Sequence, residues 1–475
     1  MNNLPQEIVE IIVSFLPDLG LAPFATLSIG WQRAVERRTF FRISIKSHGE
    51  DMEAFTRIFT LARRPYLRKL MFTVILPFNE AGADARDEQL AHCEAYTSHV
   101  RRLFQVLADG DSADENIRSS GSVALCMSCV TSAREWMSGR NRQGLDRRVG
   151  LIDGGPQLPM VKCVSRLIFR VEGAGRRVAL RAAVDLVKWL PRLKRIEIVA
   201  SVVELDLAFL NAAMWHRDDR HDLAAALAES GFLSDSHCGE VSLSLEGPGP
   251  YTPCMTVPWI FPNYMNSLSY DPLGAAVRTL SHNLVSLDIS GMFDGSLFWP
   301  GRHELPAMPA CPWPRLRHFH AALGLPTLTK AWYFTNRPGC DYRDMPCDDA
   351  MQPLFASWAM ALESMPVVEQ ATIHFQVEVD IAQPGFESVM DVKKWQVGFH
   401  APNTRPHPLH HRWVGNIAAA DLENPRLVFQ NVGGWRPWQS TMERLRAYAK
   451  DRFPHRETVE LEVDRFDNVT KVPMM

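Results

Sequence analysis

The run HNLVSLDI, from His282 to Ile289, sets a leucine and then, three places on, another apolar residue that opens alternating apolar positions. The same phrase recurs as PYLRKL (Pro65 to Leu70), PRLKRI (Pro191 to Ile196) and WPRLRHF (Trp313 to Phe319). Such a phrase suits a short parallel strand entering the core of a stacked array. One unit of this size cannot bury its own apolar face, so neighbouring units must stack. The leading positions Leu67, Leu193, Leu284 and Leu316 follow no fixed period. The expected body is therefore layered α/β structure with insertions of unequal length. Two globular α/β domains, divided in the Pro- and Gly-rich tract 247–270, are the alternative architecture.

Around these phrases the pattern alternates between helix and strand. Helices are expected over Met52 to Arg64, His92 to Asp109, Ala179 to Leu190, Met351 to Met365 and Thr441 to Lys450. Strands are expected over Leu67 to Ile75, Val161 to Val171, Arg192 to Ala200, Glu240 to Leu245, Asn283 to Ile289 and Arg315 to His320. Further strands are expected at Val368 to Val379, Lys394 to His400, Arg426 to Gln430 and Glu457 to Val463. Loops are expected at 109–121, 138–157 and 337–349, where periodicity fails. The body resembles degenerate leucine-rich repeats, although the Asn position diagnostic of that family is mostly missing. Fold class is read as α/β: a small N-terminal helical module (1–46), then an irregular leucine-rich-repeat-like α/β solenoid (47–475).

The N-terminal stretch LPQEIVEIIVSFLPDLGLAPFATLSIGWQRAV, Leu4 to Val35, has a different texture. Pro5 suits a first helical turn, where a missing N–H costs nothing. Ile8, Ile11, Ile12 and Phe15 recur at three- and four-residue steps, and Leu16-Pro17-Asp18 ends the helix. A second short helix carries Leu21, Phe24, Ala25 and Leu27. Ser28 is the N-cap of a third, which holds Trp31, Ala34 and Val35. These apolar residues exceed what a core of three such short helices needs, so some face a partner or the rest of the chain.

This order of residues resembles an F-box. The matching positions are Leu4, Pro5, Glu7, Ile8, Ile11, Phe15, Leu16, Pro17, Leu19, Leu27, Ser28 and Trp31. Pro23 departs from the pattern by shortening the second helix. The following phrase WQRAVERRTFFRISIKS, Trp31 to Ser47, is similar to one in the F-box proteins of filamentous fungi, which carry long C-terminal regions. The resemblance implies an F-box over 1–46 that binds a Skp-type adaptor through Leu4, Pro5, Ile8, Ile11, Phe15, Leu16, Pro17, Leu27 and Trp31. Through that adaptor it implies a cullin, and for the body a protein substrate of unknown identity. The implied role is the substrate-recognition subunit of an SCF-type cullin-RING ubiquitin ligase. A protein-interaction scaffold without a ligase role is the alternative, and an enzyme with an unmarked site is a third. As a structural reading, the helices merely cap the end of the body.

Composition narrows the remaining classes. The chain has 475 residues, 46% apolar and 22% charged, with a formal net charge of −3. That is globular composition without a basic tail, so neither nucleic acid nor membrane is an expected partner. No apolar run reaches the length of a membrane span. The nine cysteines are irregularly spaced and no basic leader precedes them, so a reducing compartment, cytoplasm or nucleus, is expected. Neither a cofactor nor a metal is expected. Cys126 and Cys129 form a CxxC in an apolar run, without the second pair that zinc requires. Cys340 and Cys347 with Asp341, Asp344, Asp348 and Asp349 fit the spacing of neither an EF-hand nor a Cys-type knuckle. His407, His410 and His411 read as an exposed loop, and His216 and His221 as a charged helix flank. The basic residues Arg170, Arg176, Arg177, Arg181, Lys188, Arg192, Lys194 and Arg195 read as a solvated face, or as a surface for negatively charged partners. Trp435 and Trp438 read as a terminal cap or a recognition surface. No motif of a hydrolase, nucleotide-binding or metalloprotease site occurs, so no catalytic residue is assigned.

Overall fold

The computed structural model describes residues 4–17, 20–60, 62–77, 85–112, 123–131, 148–155, 158–171, 178–201, 210–229, 238–246, 264–265, 268, 270–301, 311–329, 331–336, 343–381, 389–404, 418–464 and 469–472. It is an α/β fold, and the chain forms two compact units. The first spans Met1–Val199 with Ser236–Cys238, and the second Ala200–Asp235 with Gly239–Met475. Much of the tract 247–270 lies outside the described residues.

The first unit opens with helix α1 (Gln6–Phe15), a 3₁₀ turn (Ala22–Thr26) and helix α2 (Ile29–Thr39). Pro5 holds the N-cap place of α1, and the chain turns extended at Leu16, before Pro17. The middle segment is a five-residue 3₁₀ turn rather than an α-helix, with Pro23 in its first turn, where a missing N–H costs nothing. Ser28 is the N-cap of α2, and its hydroxyl accepts the Trp31 N–H at 3.4 Å. Val9, Val13, Leu21, Trp31, Ala34 and Val35 form one buried cluster, with Ile12, Leu16, Phe24 and Ala25 packed on its margin. The Phe24 and Trp31 rings stack at 5.8 Å between centroids.

Strand β1 (Arg42–Lys46), helix α3 (Asp51–Ile58), β2 (Lys69–Leu76), α4 (Ala85–Ser112), β3 (Val123–Thr131), β4 (Val164–Val171), α5 (Arg181–Val187) and β5 (Arg195–Ser201) follow. Strands β1 to β4 pair in chain order and in parallel. Leu70, Phe72, Val74 and Leu76 of β2 point to the helix side and are fully buried, as are Tyr96, Val100, Leu103, Phe104 and Leu107 of α4. Strand β3, like β1, was not among the expected strands: VALCMSCV was read only as an apolar run with a CxxC.

The second unit contains α6 (Leu210–Glu229), β6 (Glu240–Glu246), α7 (Pro272–Ser281), β7 (Ser286–Gly291), β8 (His318–Leu323), a hairpin of β9 (Phe334–Asn336) and β10 (Arg343–Pro346), and α8 (Asp348–Glu363). Then come β11 (Gln370–Ile381), β12 (Val389–His400), α9 (Ala419–Leu422), β13 (Arg426–Gln430), α10 (Gln439–Arg452), β14 (Val459–Val463) and β15 (Val469–Val472). Strands β6, β7, β8 and β11 run parallel in that order. From there the sheet is mixed: β12 is antiparallel to both β11 and β13, β13 is parallel to β14, and β15 is antiparallel to β14. The short link 382–388 allows only a reversal of direction, since a parallel return needs a crossover of a dozen residues or more.

The repeated phrase has one structural meaning. Leu67, Leu193, Leu284 and Leu316 are fully buried at the approach to their strands, and Leu70, Ile196, Leu287 and Phe319 are buried inside them. Leu287 and Phe319 are direct register partners. Backbone bonds link successive layers at the strand entries: Val285 N–H to Gly239 O at 2.8 Å, Arg317 N–H to Val285 O at 2.8 Å, Glu369 N–H to Arg317 O at 2.7 Å and Ala401 N–H to Glu369 O at 2.8 Å. Among the described residues no helix is long and apolar enough to cross a membrane.

Candidate functional site

Helix α1 carries more apolar surface than its own module can cover. Its period of 3.6 residues puts Val9 and Val13 inward, and both are buried. The same period puts Ile8, Ile11 and Phe15 on a second line, with Leu4 one turn ahead. All four are exposed, and Phe15 is 85% so. Leu27 after the 3₁₀ turn and Ile29 at the start of α2 add two more exposed side chains, Ile29 at 68%. Pro5 and Pro17 are exposed at the ends of α1, and Leu16 is half-buried against the module core.

Trp31 lies elsewhere. At 6% exposure it is an interior residue of the module, stacked on Phe24, and it offers no surface to a partner. Leu19 lies outside the described residues. Ile29 was missed in the sequence reading. The signal was present: two residues before Trp31 on a helix is a rotation of about 200°, so a buried Trp31 sends Ile29 outward.

The frame that holds this face is polar. Gln6 Nε2 donates to Gly30 O at 3.2 Å, joining the start of α1 to α2. Arg37 bridges to Glu10 at 2.8 Å, an exposed pair of small energetic weight. The Arg38 guanidinium donates to Val13 O near the end of α1, where a cation also complements the helix dipole. Arg63 reaches Glu36 at 2.9 Å and ties α2 to the next segment of the same unit.

The candidates for chemistry resolve differently. Cys126 and Cys129 both lie on β3, three residues apart, so strand alternation sends them to opposite faces of the sheet. Neither forms a disulfide, and burial pushes the Cys129 thiol up to about 12. Asp348 accepts hydrogen bonds from Trp435 Nε1 at 2.8 Å and Gln352 Nε2 at 3.0 Å, and these hold its carboxyl below the usual range. His221 Nε2 meets Tyr264 O at 3.0 Å. His407, His410, His411, Cys340, Asp341, Arg176 and Arg177 lie outside the described residues. Among the described residues no group of three or more His, Cys, Asp or Glu is placed to hold a metal ion. Trp435 packs between Phe355 and Trp395 at 5.3 Å from each, whereas Trp438 is exposed.

One polar cluster in the second unit went unforeseen. His320 Nδ1 and Thr372 Oγ1 are 2.5 Å apart, and the His320 ring stacks on His374 at 4.6 Å. Thr372 is the register partner of His320, and His374 that of Gln396, so distant segments converge only through strand pairing. All four are buried, which makes the cluster an internal polar layer rather than an open cleft. Nearby on β12, burial lowers the Lys394 ammonium to about 8, with Asp288 opposing the shift.

Comparison with protein-family models and with curated proteins finds no match to this chain.

Proposed function

We propose that the chain is the substrate-recognition subunit of an SCF-type cullin-RING ubiquitin ligase. Residues 1–46 act as an F-box that docks on a Skp-type adaptor, and the body, read as an irregular leucine-rich-repeat-like solenoid, holds a protein substrate. The observation that carries this reading is the outward apolar line of Leu4, Ile8, Ile11 and Phe15, in a module that also exposes Leu27 and Ile29. An exposed apolar line of this kind on a small module is the usual mark of a protein interface. Burying each of these side chains contributes on the order of 1.5–3 kcal/mol. Trp31 supports the face from within.

The chain then works by proximity. Holding a substrate beside a charged carrier enzyme raises the local concentration of its lysines, and no catalytic residue of this chain takes part. The test is co-purification of the full chain with a Skp-type adaptor and a cullin. Ile11→Glu with Phe15→Glu changes two exposed positions and is expected to abolish recovery of both partners while leaving the fold intact. Retention of the adaptor by this variant would overturn the reading. Recovery of adaptor without cullin would move it to a scaffold without a ligase role.

A further inference from the structure

Two stacked imidazoles lie inside the second unit's sheet. Phe355 of α8 packs on Trp395 and Tyr448 of α10 on Phe399, so these alternate residues of β12 face the helices. The residues between them face the other way. On that other face the register sets polar side chains in rows. Asp288, His320, Thr372 and Gly398 form one row across β7, β8, β11 and β12, and Ser290, Ala322, His374 and Gln396 form the next. His320 and His374 meet on the diagonal between the rows, with ring centroids 4.6 Å apart and planes at 26°. His320 Nδ1 also lies 2.5 Å from Thr372 Oγ1, so the seam between β8 and β11 carries both contacts. His320 is 7% exposed and His374 8%, and Thr372 and Gln396 beside them are fully buried.

The neighbours of the pair decide what a proton does there. Among the described side chains, the titratable and charged groups on this face are Asp288 on β7, His318 on β8, Lys394 and His400 on β12 and Arg426 on β13. Glu240 lies further out, on β6. His318 faces Glu369 at 3.8 Å, and Arg426 donates to Thr404 O at 2.7 Å and Asp421 O at 3.3 Å. Asp288 stands in the row of His320, so one proton on the pair has a carboxylate to face. A second proton sets two like charges 4.6 Å apart in a layer closed to water. Like charges at that range repel strongly away from solvent, and burial of an unanswered charge opposes folding.

We propose that the stacked pair of His320 and His374 is an acid-sensitive latch between β8 and β11. Once the seam opens, both rings meet water and take up protons below the ordinary imidazole value of about 6.5. The closed seam does not hold both protons. The open form therefore binds more protons than the closed one, so opening is favoured as pH falls and reversed as pH rises. The opening is local, confined to the strands that the pair joins. The β2–β3 pairing of the first unit contains no histidine and stays closed over the same range. The inference needs nothing from the adaptor reading, because the latch is measured on this chain alone.

The experiment is hydrogen–deuterium exchange of the full chain from about pH 7.5 to about pH 5, with labelling times scaled to the intrinsic exchange rate at each pH. Peptides over His318–Leu323 and over 370–375 are expected to lose protection below about pH 6.5, by about tenfold or more per pH unit, and to regain it at neutral pH. Peptides over β2 and β3 are expected to keep theirs. His374→Phe keeps a ring against His320 and removes one titrating group. It is expected to make the loss shallower by about tenfold per pH unit. His282, which lies against Trp313, contributes alike to both chains and cancels in the comparison. His320→Gln keeps a polar group beside Thr372, is expected to flatten the loss likewise, and carries the test should the phenylalanine disturb the layer. Native circular dichroism at neutral pH qualifies each variant. Protection in β8 and β11 that survives to pH 5, that falls equally in β2 and β3, or that falls as steeply in the folded variants would each overturn the proposal.

Discussion

At the scale of single residues, Trp31 and Phe15 share a module and have opposite duties. Trp31 fills the core, so Trp31→Ala should cost about 3–5 kcal/mol in a denaturant titration. Phe15→Ala removes an exposed ring and should change stability by less than about 0.5 kcal/mol while weakening adaptor binding. Sequence spacing put both among the docking residues, because a motif does not say which side of a helix the rest of the chain occupies. His282 supplies a pH dependence. Burial, with Arg278 adding to it, lowers its imidazole from 6.5 to about 4. Between those values the unfolded chain binds more protons than the folded one, so stability falls as pH drops through that window. His282→Gln should flatten the pH dependence of the melting temperature between pH 6.5 and 4; an unchanged slope would contradict this assignment.

At the scale of elements, what was legible followed from periodicity. Strands β2, β4, β7, β13 and β14 lie within a few residues of their expected places: β2 and β7 bury one face through alternating apolar residues, and β13 and β14 are short runs buried on both faces. Strand β3 escaped because Cys and Met are weak strand signals and its flanks read as loops. The second helix of the module is a 3₁₀ turn of five residues, Ala22–Thr26. The cap of α2 was legible because Ser28 stands just before the buried Trp31 pattern. Ser28→Ala should cost about 0.5–2 kcal/mol, read by chemical unfolding, with Ser28→Asn or Ser28→Asp restoring most of it. The register rows of the first unit's sheet could not be read locally. They join residues from 42 to 170, and only the parallel pairing brings them together. The basic residues singled out from sequence instead divide. Arg170 lies on the sheet, while Arg181 and Lys188 share Asp185 at 3.6 and 2.8 Å on α5.

At the scale of the whole molecule, the repeated phrase and the N-terminal face describe separate jobs. The leading leucines of the phrase and the apolar residues three places on are buried at equivalent places in their layers, so they hold layers together and are unavailable to a partner. The α1 face is exposed and contributes nothing to any core, so it is free to dock. Hydrogen–deuterium exchange on the full chain, with and without a Skp-type adaptor, separates the two. Binding that uses the α1 face should slow exchange over Gln6–Phe15 and the first turn of α2, because helix ends and short turns open locally at low cost. Exchange in β7 and β8 should stay at its free-state rate, since their backbone groups are already paired within the sheet. Protection that appears in the body while α1 remains unchanged would place the adaptor contact elsewhere and leave the outward line of Ile8, Ile11 and Phe15 to a different partner.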